Sequence, residues 1–459
     1  LVVSWVVLGV AILLLDRTLA EGTISYAIGN WAAPWGIEYR VDAVGAFVIL
    51  IVAAIGAIVL PFAYTSVQHE IPDDRISLFY TCYLLCLTGL LGIVVTGDAF
   101  NLFVFLEISS LSSYVLVSLG TDRRALTAAF QYLVMGTIGA TFILIGVGLL
   151  YMMTGTLNMA DLAQRLPEVA ATRTIRAAFA FVTVGVSLKL ALFPLHLWLP
   201  NAYTFAPSAV SAFLAATATK VAIYVLLRFF FTVFGADYSL GAMPLAEILL
   251  VLALTATLVA SLVAVFQEDI KRMLAYSSVA QIGYIILAIS FASVTGVAAG
   301  LIHLFNHALM KGALFMVMGC IFVRLGSVHI RDMEGIGKRM PFTMAAFVIG
   351  GLSLIGVPLT AGFISKWYLV AAVLEEGLWP VAVLVLVGSL IAVTYIWRVV
   401  EVAYFRAPAH QAHEVKEAPV TMLVPTWILI AANIYFGTDT SLTAGVAHTA
   451  AASLLGLGD

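Results

Sequence analysis

Apolar residues run along this chain in long blocks, and the polar residues collect between them. Thirteen blocks are long enough to cross a membrane as helices, at approximately 1–15, 43–65, 77–96, 99–119, 125–153, 177–200, 206–234, 244–266, 273–293, 296–325, 341–375, 378–405 and 419–437. A helix of about 17 to 25 apolar residues spans a hydrocarbon layer of roughly 30 Å. Two blocks are interrupted, by Pro194 and Pro200 in KLALFPLHLWLPNAY and by Pro358 and Gly362 in SLIGVPLTAGFISKWYL. A proline inside a span removes a backbone hydrogen bond that lipid cannot replace, so both segments are expected among other helices or against water. The broken blocks lie five spans apart, and an odd separation gives them opposite orientations, as in inverted repeats with an ion site beside the breaks. Prolines that merely kink packing helices are the blander reading.

Residues 16–42 form the first sizeable loop, with Trp31, Pro34 and Trp35 expected at a membrane interface. After 437 the tail carries no lysine or arginine and reads as a surface helix or disordered chain. The chain opens at Leu1 inside an apolar block, and a segment preceding it is expected.

Composition agrees with a membrane protein: 63% of the 459 residues are hydrophobic and 10% are charged, far below what a soluble surface needs. Threading the spans alternately puts Arg75, Arg123, Arg124, Lys271, Arg272, Arg324, Arg331, Lys338, Arg339, Arg398, Arg406 and Lys416 on one face, against Arg17, Arg40, Arg165, Arg173 and Arg176 on the other. The richer face is expected in the cytoplasm, with the C-terminus outside. A net charge of -3 and the absence of a basic stripe exclude a nucleic-acid partner. Cys82, Cys86 and Cys320 form no metal or redox motif and read as small buried hydrophobes. Without a haem, iron–sulfur or nucleotide signature, no cofactor and no chemistry of its own are expected.

Four of the seven lysines, Lys189, Lys220, Lys311 and Lys366, fall well inside apolar blocks. Each costs roughly 2.5 to 3.5 kcal/mol to insert, and snorkelling does not reach from mid-span. Glu107 is the acid placed deep in a span, and it needs a basic partner to stay ionised. Lys189 and Lys220 are both candidates. In HLFNHALMKGALF, His303, His307 and Lys311 recur at four-residue spacing and line one helix face. They suit a proton relay, since histidine exchanges protons near neutral pH and a desolvated lysine sheds its proton readily. Hydrogen bonding to neighbouring helices is the alternative, and zinc is not expected, for want of a carboxylate at ligand spacing. His196, beside Pro194, is a candidate for proton uptake or release, or a structural residue. The hydroxyls of Ser109, Ser110, Ser112, Ser113, Tyr114, Thr217 and Thr219 either hold water or pack helices.

Five motifs in order, TGDAFNLFVFLEISSLSSY, KLALFPLHLWLPNAY, EDIKRMLAYSSVAQIGY, HLFNHALMKGALF and VPLTAGFISKWYL, resemble the antiporter-like subunits of respiratory complex I and its relatives over nearly the whole chain. TGDAFNLFVFLEI, and lysine in GFISKWYL, look most like the D-type subunit of the Mrp multisubunit cation/proton antiporters; the matching subunit of membrane-bound hydrogenases is the rival. The resemblance implies an all-α polytopic fold of about fourteen transmembrane helices, thirteen of them here, with two inverted five-helix repeats that each contain a broken helix. Residues 1–76 would then be N-terminal helices, 77–234 and 244–405 the two repeats, and 406–459 a last helix and tail. By resemblance, Glu107 modulates Lys189, and protons pass along Lys189, Lys220, His303, His307, Lys311 and Lys366, beside the helix breaks at Pro194 and Pro358. The implied function is proton translocation in a multisubunit Na+/H+ antiporter of a bacterial or archaeal cell membrane, partnered by other membrane subunits, protons and sodium. The alternatives are a redox-driven pump subunit and a scaffold that has lost transport.

Overall fold

The computed structural model describes residues 1–407 and 415–457. The first blocks form α1 (Val2–Glu21), α2 (Ala43–Glu70), α3 (Ile76–Val95), α4 (Ala99–Ser118) and α5 (Arg124–Thr154), followed by a short amphipathic α6 (Met159–Val169). Next come α7 (Arg173–Leu190), α8 (Trp198–Phe205), α9 (Ser208–Leu227), α10 (Leu245–Val265), α11 (Ile270–Ser290) and α12 (Val294–Leu325). The remainder forms α13 (Pro341–Ile355), α14 (Ala361–Glu375), α15 (Trp379–Phe405), α16 (Val420–Thr438) and α17 (Ser441–Leu454). Among the described residues, eleven helices are long and apolar enough to cross a membrane. The pairs α7–α8 and α13–α14 supply the two broken crossings, so each of the predicted blocks is accounted for. The chain is a multi-pass membrane protein.

Two local features, a hairpin and a buried lysine, depart from the sequence reading, and the tail takes the helical of its two expected forms. The 16–42 loop contains a hairpin, β1 (Ile24–Ala27) antiparallel to β2 (Glu38–Val41), in register from Ile24 opposite Val41 to Ala27 opposite Glu38. Trp31 and Trp35 stand exposed at its tip. The tail beyond 437 is an ordered helix, α17, whose Val446, Ala447, Ala450 and Ala451 are buried where it packs on α2 and α12. Lys271, assigned to a loop, is only 4% exposed.

Burial grades inward. In the central stretches of α9 and α11, 94% of residues are buried within this one chain, against 39% in α10 and α15. α12 lies between them and touches α2, α9, α11, α13, α14, α16 and α17. The helices that carry Lys220, His303, His307 and Lys311 are therefore the innermost.

Two stretches of the chain are built alike. Asp98 and Asp269 cap α4 and α11 by accepting from Asn101 N and Arg272 N. Gly155 and Gly326, both left-handed, end α5 and α12. Asp98 then pairs with Asn158, and Asp269 with His329, in isolated bridges. The same interval separates the members of all three pairs. Since α4 and α11 are five crossings apart, the two units face opposite sides of the membrane.

At each break, buried side chains satisfy the backbone groups that the helix gives up. Past α7, where Ala191 turns left-handed, the Trp198 indole donates to Leu188 O at 3.0 Å. Between α13 and α14, Asn306 Nδ2 donates to Ala361 O at 2.6 Å, and Gly362 N donates to Ser353 Oγ at 3.0 Å. Gly362 has no room for a side chain, because a Cβ there would lie 1.9 Å from Ser353 O. Gly362→Ala is expected to destabilise the fold by about 3 kcal/mol through overpacking, read as a lower unfolding midpoint of the detergent-solubilised protein.

Candidate functional site

Lys189 occupies the last turn of α7, just before the chain breaks. Its Nζ donates to Ser110 Oγ at 2.8 Å and lies 3.7 Å from Glu107 Oε1. The structure thus chooses between the two candidate partners: Glu107 pairs with Lys189, not with Lys220. The carboxylate is the more open member, its side chain 25% exposed against 9% for the lysine. Glu107 therefore sits toward the outer surface of this chain and Lys189 toward its core. A cavity of about 40 Å³, walled by Ser109, Ser110, Ser113, Tyr132 and Ala218, lies beside the ammonium and reaches α9. Leu90, Ile93, Leu106, Val221 and Val225 also wall it, so three serine hydroxyls and a tyrosine face an otherwise apolar lining, and its size matches about one water.

Lys220 on α9 is fully buried and donates to Ala215 O and to Thr219 Oγ1, the latter at 3.4 Å. Lys311 on α12 is equally buried and donates to Leu274 O at 2.8 Å and to Ser277 Oγ. Both ammonium groups thus rest on neutral oxygens. His307, one turn before Lys311, is an electrostatic neighbour of both lysines. Neither of its ring nitrogens has a hydrogen-bond partner among the described residues. An imidazole so placed can take a proton on one side and release it on the other.

The His303 ring is stacked on that of His307, with centroids 6.2 Å apart and planes at 6°. Its Nε2 lies 2.9 Å from Gln281 Oε1 and its Nδ1 2.7 Å from Ser365 Oγ. Nε2 therefore donates, and Nδ1 faces a hydroxyl that can give or accept hydrogen. Ser365 adjoins Lys366 on α14. Lys366 Nζ donates to Leu354 O at 3.0 Å, Ile355 O at 2.8 Å and Ser389 Oγ at 2.9 Å, and it sits 4.9 Å above the Tyr284 ring. Its three donors are all used, two of them on the carbonyls that the broken α13 leaves open. A cation at a helix C-terminus also suits the helix dipole.

These side chains share one helix as a rail. Along α11, Leu274 O and Ser277 Oγ hold Lys311, Gln281 holds His303, and Tyr284 underlies Lys366. The helical period of three or four residues puts these positions on one face. Lys189 and Glu107 stand apart from the rail, on α7 and α4. His196 is 6% exposed, with its ring stacked on Phe193 at 5.1 Å and close to Tyr276, so it lies inside the fold. Most of the candidate hydroxyls bond their own helix, as Ser109 does to Leu106 O and Thr217 to Phe213 O. Ser110, the partner of Lys189, is an exception.

Sequence reasoning missed several buried charges among the described residues. Arg228, 7% exposed, is paired with Asp42 and donates to Tyr224 Oη at 2.7 Å. It lies within the 206–234 block, so the test applied to the lysines would have found it. Glu70 and Lys271 sit at block ends, where a charge reads as ordinary.

The profile of the family described as NADH:quinone oxidoreductase/Mrp antiporter, transmembrane region, matches residues 96–392. NADH-quinone oxidoreductase subunit N of Desulforudis audaxviator is 43% identical over 428 residues, covering 90% of this chain and 85% of the relative. The D-type subunit of the Na(+)/H(+) antiporter of Alkalihalophilus pseudofirmus is 30% identical over 428 residues, covering 93% and 85% respectively. Among solved structures, a chain of the membrane-bound sulfane sulfur reductase, an archaeal respiratory membrane complex, matches with a TM-score of 0.90 and 33% identity, over 99% of this chain and 91% of that one.

Proposed function

The chain belongs to the NADH:quinone oxidoreductase/Mrp antiporter transmembrane family, and on that premise we propose that it moves protons through the membrane as one subunit of a larger assembly. The observation that carries this reading is the buried series Lys220, Lys311, His307, His303 and Lys366, of which Lys311, His303 and Lys366 rest on α11, flanked by the Lys189–Glu107 pair. Groups that gain and lose protons, held in a core where Lys220, Lys311 and Lys366 have no carboxylate partner among the described residues, serve proton transfer better than they serve packing. Residues 77–234 and 244–405 would act as the two inverted halves, with 1–76 and 406–459 as flanking helices.

Two sources of energy fit. Exchange against a monovalent cation, sodium first, is supported by the likeness to the Na(+)/H(+) antiporter relative. Drive from an electron-transfer arm in other subunits is supported by the higher identity to the NADH-quinone oxidoreductase subunit N. Inside-out vesicles carrying the assembled complex, loaded with a pH-sensitive dye, separate the two. Collapse of an imposed proton gradient on sodium addition, with no redox substrate, is expected for the antiporter. Proton uptake that needs a redox substrate and ignores sodium would transfer the proposal to the second source, and silence under both drives would end it.

A further inference from the structure

On the arginine-rich face, α8 meets α9 at Pro207, and a cavity of about 170 Å³ opens there. Its walls include Glu70, Asp122, Arg124, Asp269, Lys271 and His329. Asp122 is engaged by Arg124 at the rim, and Asp269 caps α11. Glu70 and Lys271 differ from these in being only 4% exposed. Glu70 accepts from Ser66 Oγ at 2.5 Å, from Ser208 N at 2.8 Å and from Ser208 Oγ at 3.0 Å. Lys271 Nζ donates to Ala206 O at 2.7 Å.

A bland account is that the two charges fasten the α8–α9 joint. The lysine suits the carbonyl end of α8 and the carboxylate the N–H end of α9. That account leaves two things unexplained. The cavity has room for several waters at about 30 Å³ each, directly over the pair. Lys271 also begins the α11 rail: Leu274, one turn inward, supplies the carbonyl that holds Lys311. From Lys271 to Tyr284, beneath Lys366, the rail is about 20 Å long.

We propose that Glu70 and Lys271 form the gate through which protons pass between the arginine-rich face and the buried file. The proposal rests on the proton-translocation reading above. A proton moves from cavity water to the neutral amine of Lys271, making it an ammonium. It then passes through intervening water to the neutral amine of Lys311, which has already handed its own proton along the rail. Lys271 is returned to its amine, and the Glu70 carboxylate balances the transient charge between the two transfers.

The test uses the assembled complex in vesicles. His329 is exposed at the mouth and belongs neither to the file nor to the gate, while the native Cys82, Cys86 and Cys320 are buried. His329→Cys is expected to transport protons within about twofold of wild type until a membrane-impermeant trimethylammonium methanethiosulfonate reaches the arginine-rich face, when flux should fall by about tenfold. The same reagent on the opposite face should do nothing. Lys271→Gln should be slow without reagent, and Lys271→Arg, which keeps the bond to Ala206, should still assemble. Full flux through the modified His329→Cys protein overturns the gate, whether or not Lys271→Gln folds. Lys189→Ala separates the two ideas: flux lost there but kept in the plugged protein removes the gate alone, and flux kept in Lys189→Ala removes the file beneath it.

Discussion

Lys189→Ala should cut proton movement through the assembled complex about a hundredfold or more, the loss expected when a positioned proton-transfer group is removed. The lysine has one hydroxyl partner and one carboxylate, and the carboxylate is the source of its control. At 3.7 Å from Glu107, an ion pair in partly buried surroundings is worth about 4 kcal/mol. Any movement of Glu107, which lies on the more open side, therefore changes the cost of holding a proton on Lys189 by a large fraction of that energy. Alanine abolishes the control together with the carrier. The fold should survive, because the side chain already lies against a small cavity edged by Ser109, Ser110 and Ser113, and its ammonium bonds Ser110 Oγ rather than a backbone carbonyl of the break. Dye-monitored flux and an unfolding midpoint, measured on the same preparation, separate the effects. Wild-type flux would end the proposal of a file.

Lys366→Met should be as severe for transport and also weaken the fold. Methionine keeps the length and most of the volume of the lysine stem, so packing beside Gly356 is little changed. The loss is the ammonium, which donates to Leu354 O, Ile355 O and Ser389 Oγ. A carbonyl left open in a dry interior costs about 1 to 3 kcal/mol, and a lower unfolding midpoint of the purified protein should register it. Lys366→Arg discriminates the two roles. A guanidinium can still donate to the carbonyls but does not deprotonate in proteins, so stability should return and flux should not. Recovery of flux in Lys366→Arg would show that this position tethers the break and does not carry protons.

The sequence was most legible where the membrane leaves the chain little choice. Backbone groups in lipid must be paired, so span positions follow from apolar length, and the two prolines mark the points where pairing fails. Buried lysines were legible for the same reason, since insertion of each needs a purpose. The hairpin was missed because its strands are four residues each, too short for alternation to show. Glu70, Lys271 and Asp42 lie at block ends, where sequence cannot tell a charge turned inward from one in solvent. The choice of Lys189 over Lys220 as the partner of Glu107 depends on how α4 packs near α7, and no periodicity records that. Nor could the pattern reveal that α11 serves as a rail, since its contributions are a carbonyl, a hydroxyl, an amide and a ring.

The matched caps of α4–α5 and α11–α12 bear on directionality. Two like units set upside down relative to one another present nearly the same backbone to a proton arriving from either face, so the scaffold alone rectifies nothing. Any bias between inward and outward travel has to come from side chains that break the likeness. At the interval that relates Asp98 to Asp269, Glu107 falls opposite Ser278, a hydroxyl that only bonds its own helix at Leu274 O. One half of the molecule thus carries a carboxylate near its lateral surface that the other half lacks, and a neighbouring subunit that reaches it would find a handle on one side of an otherwise even-handed machine.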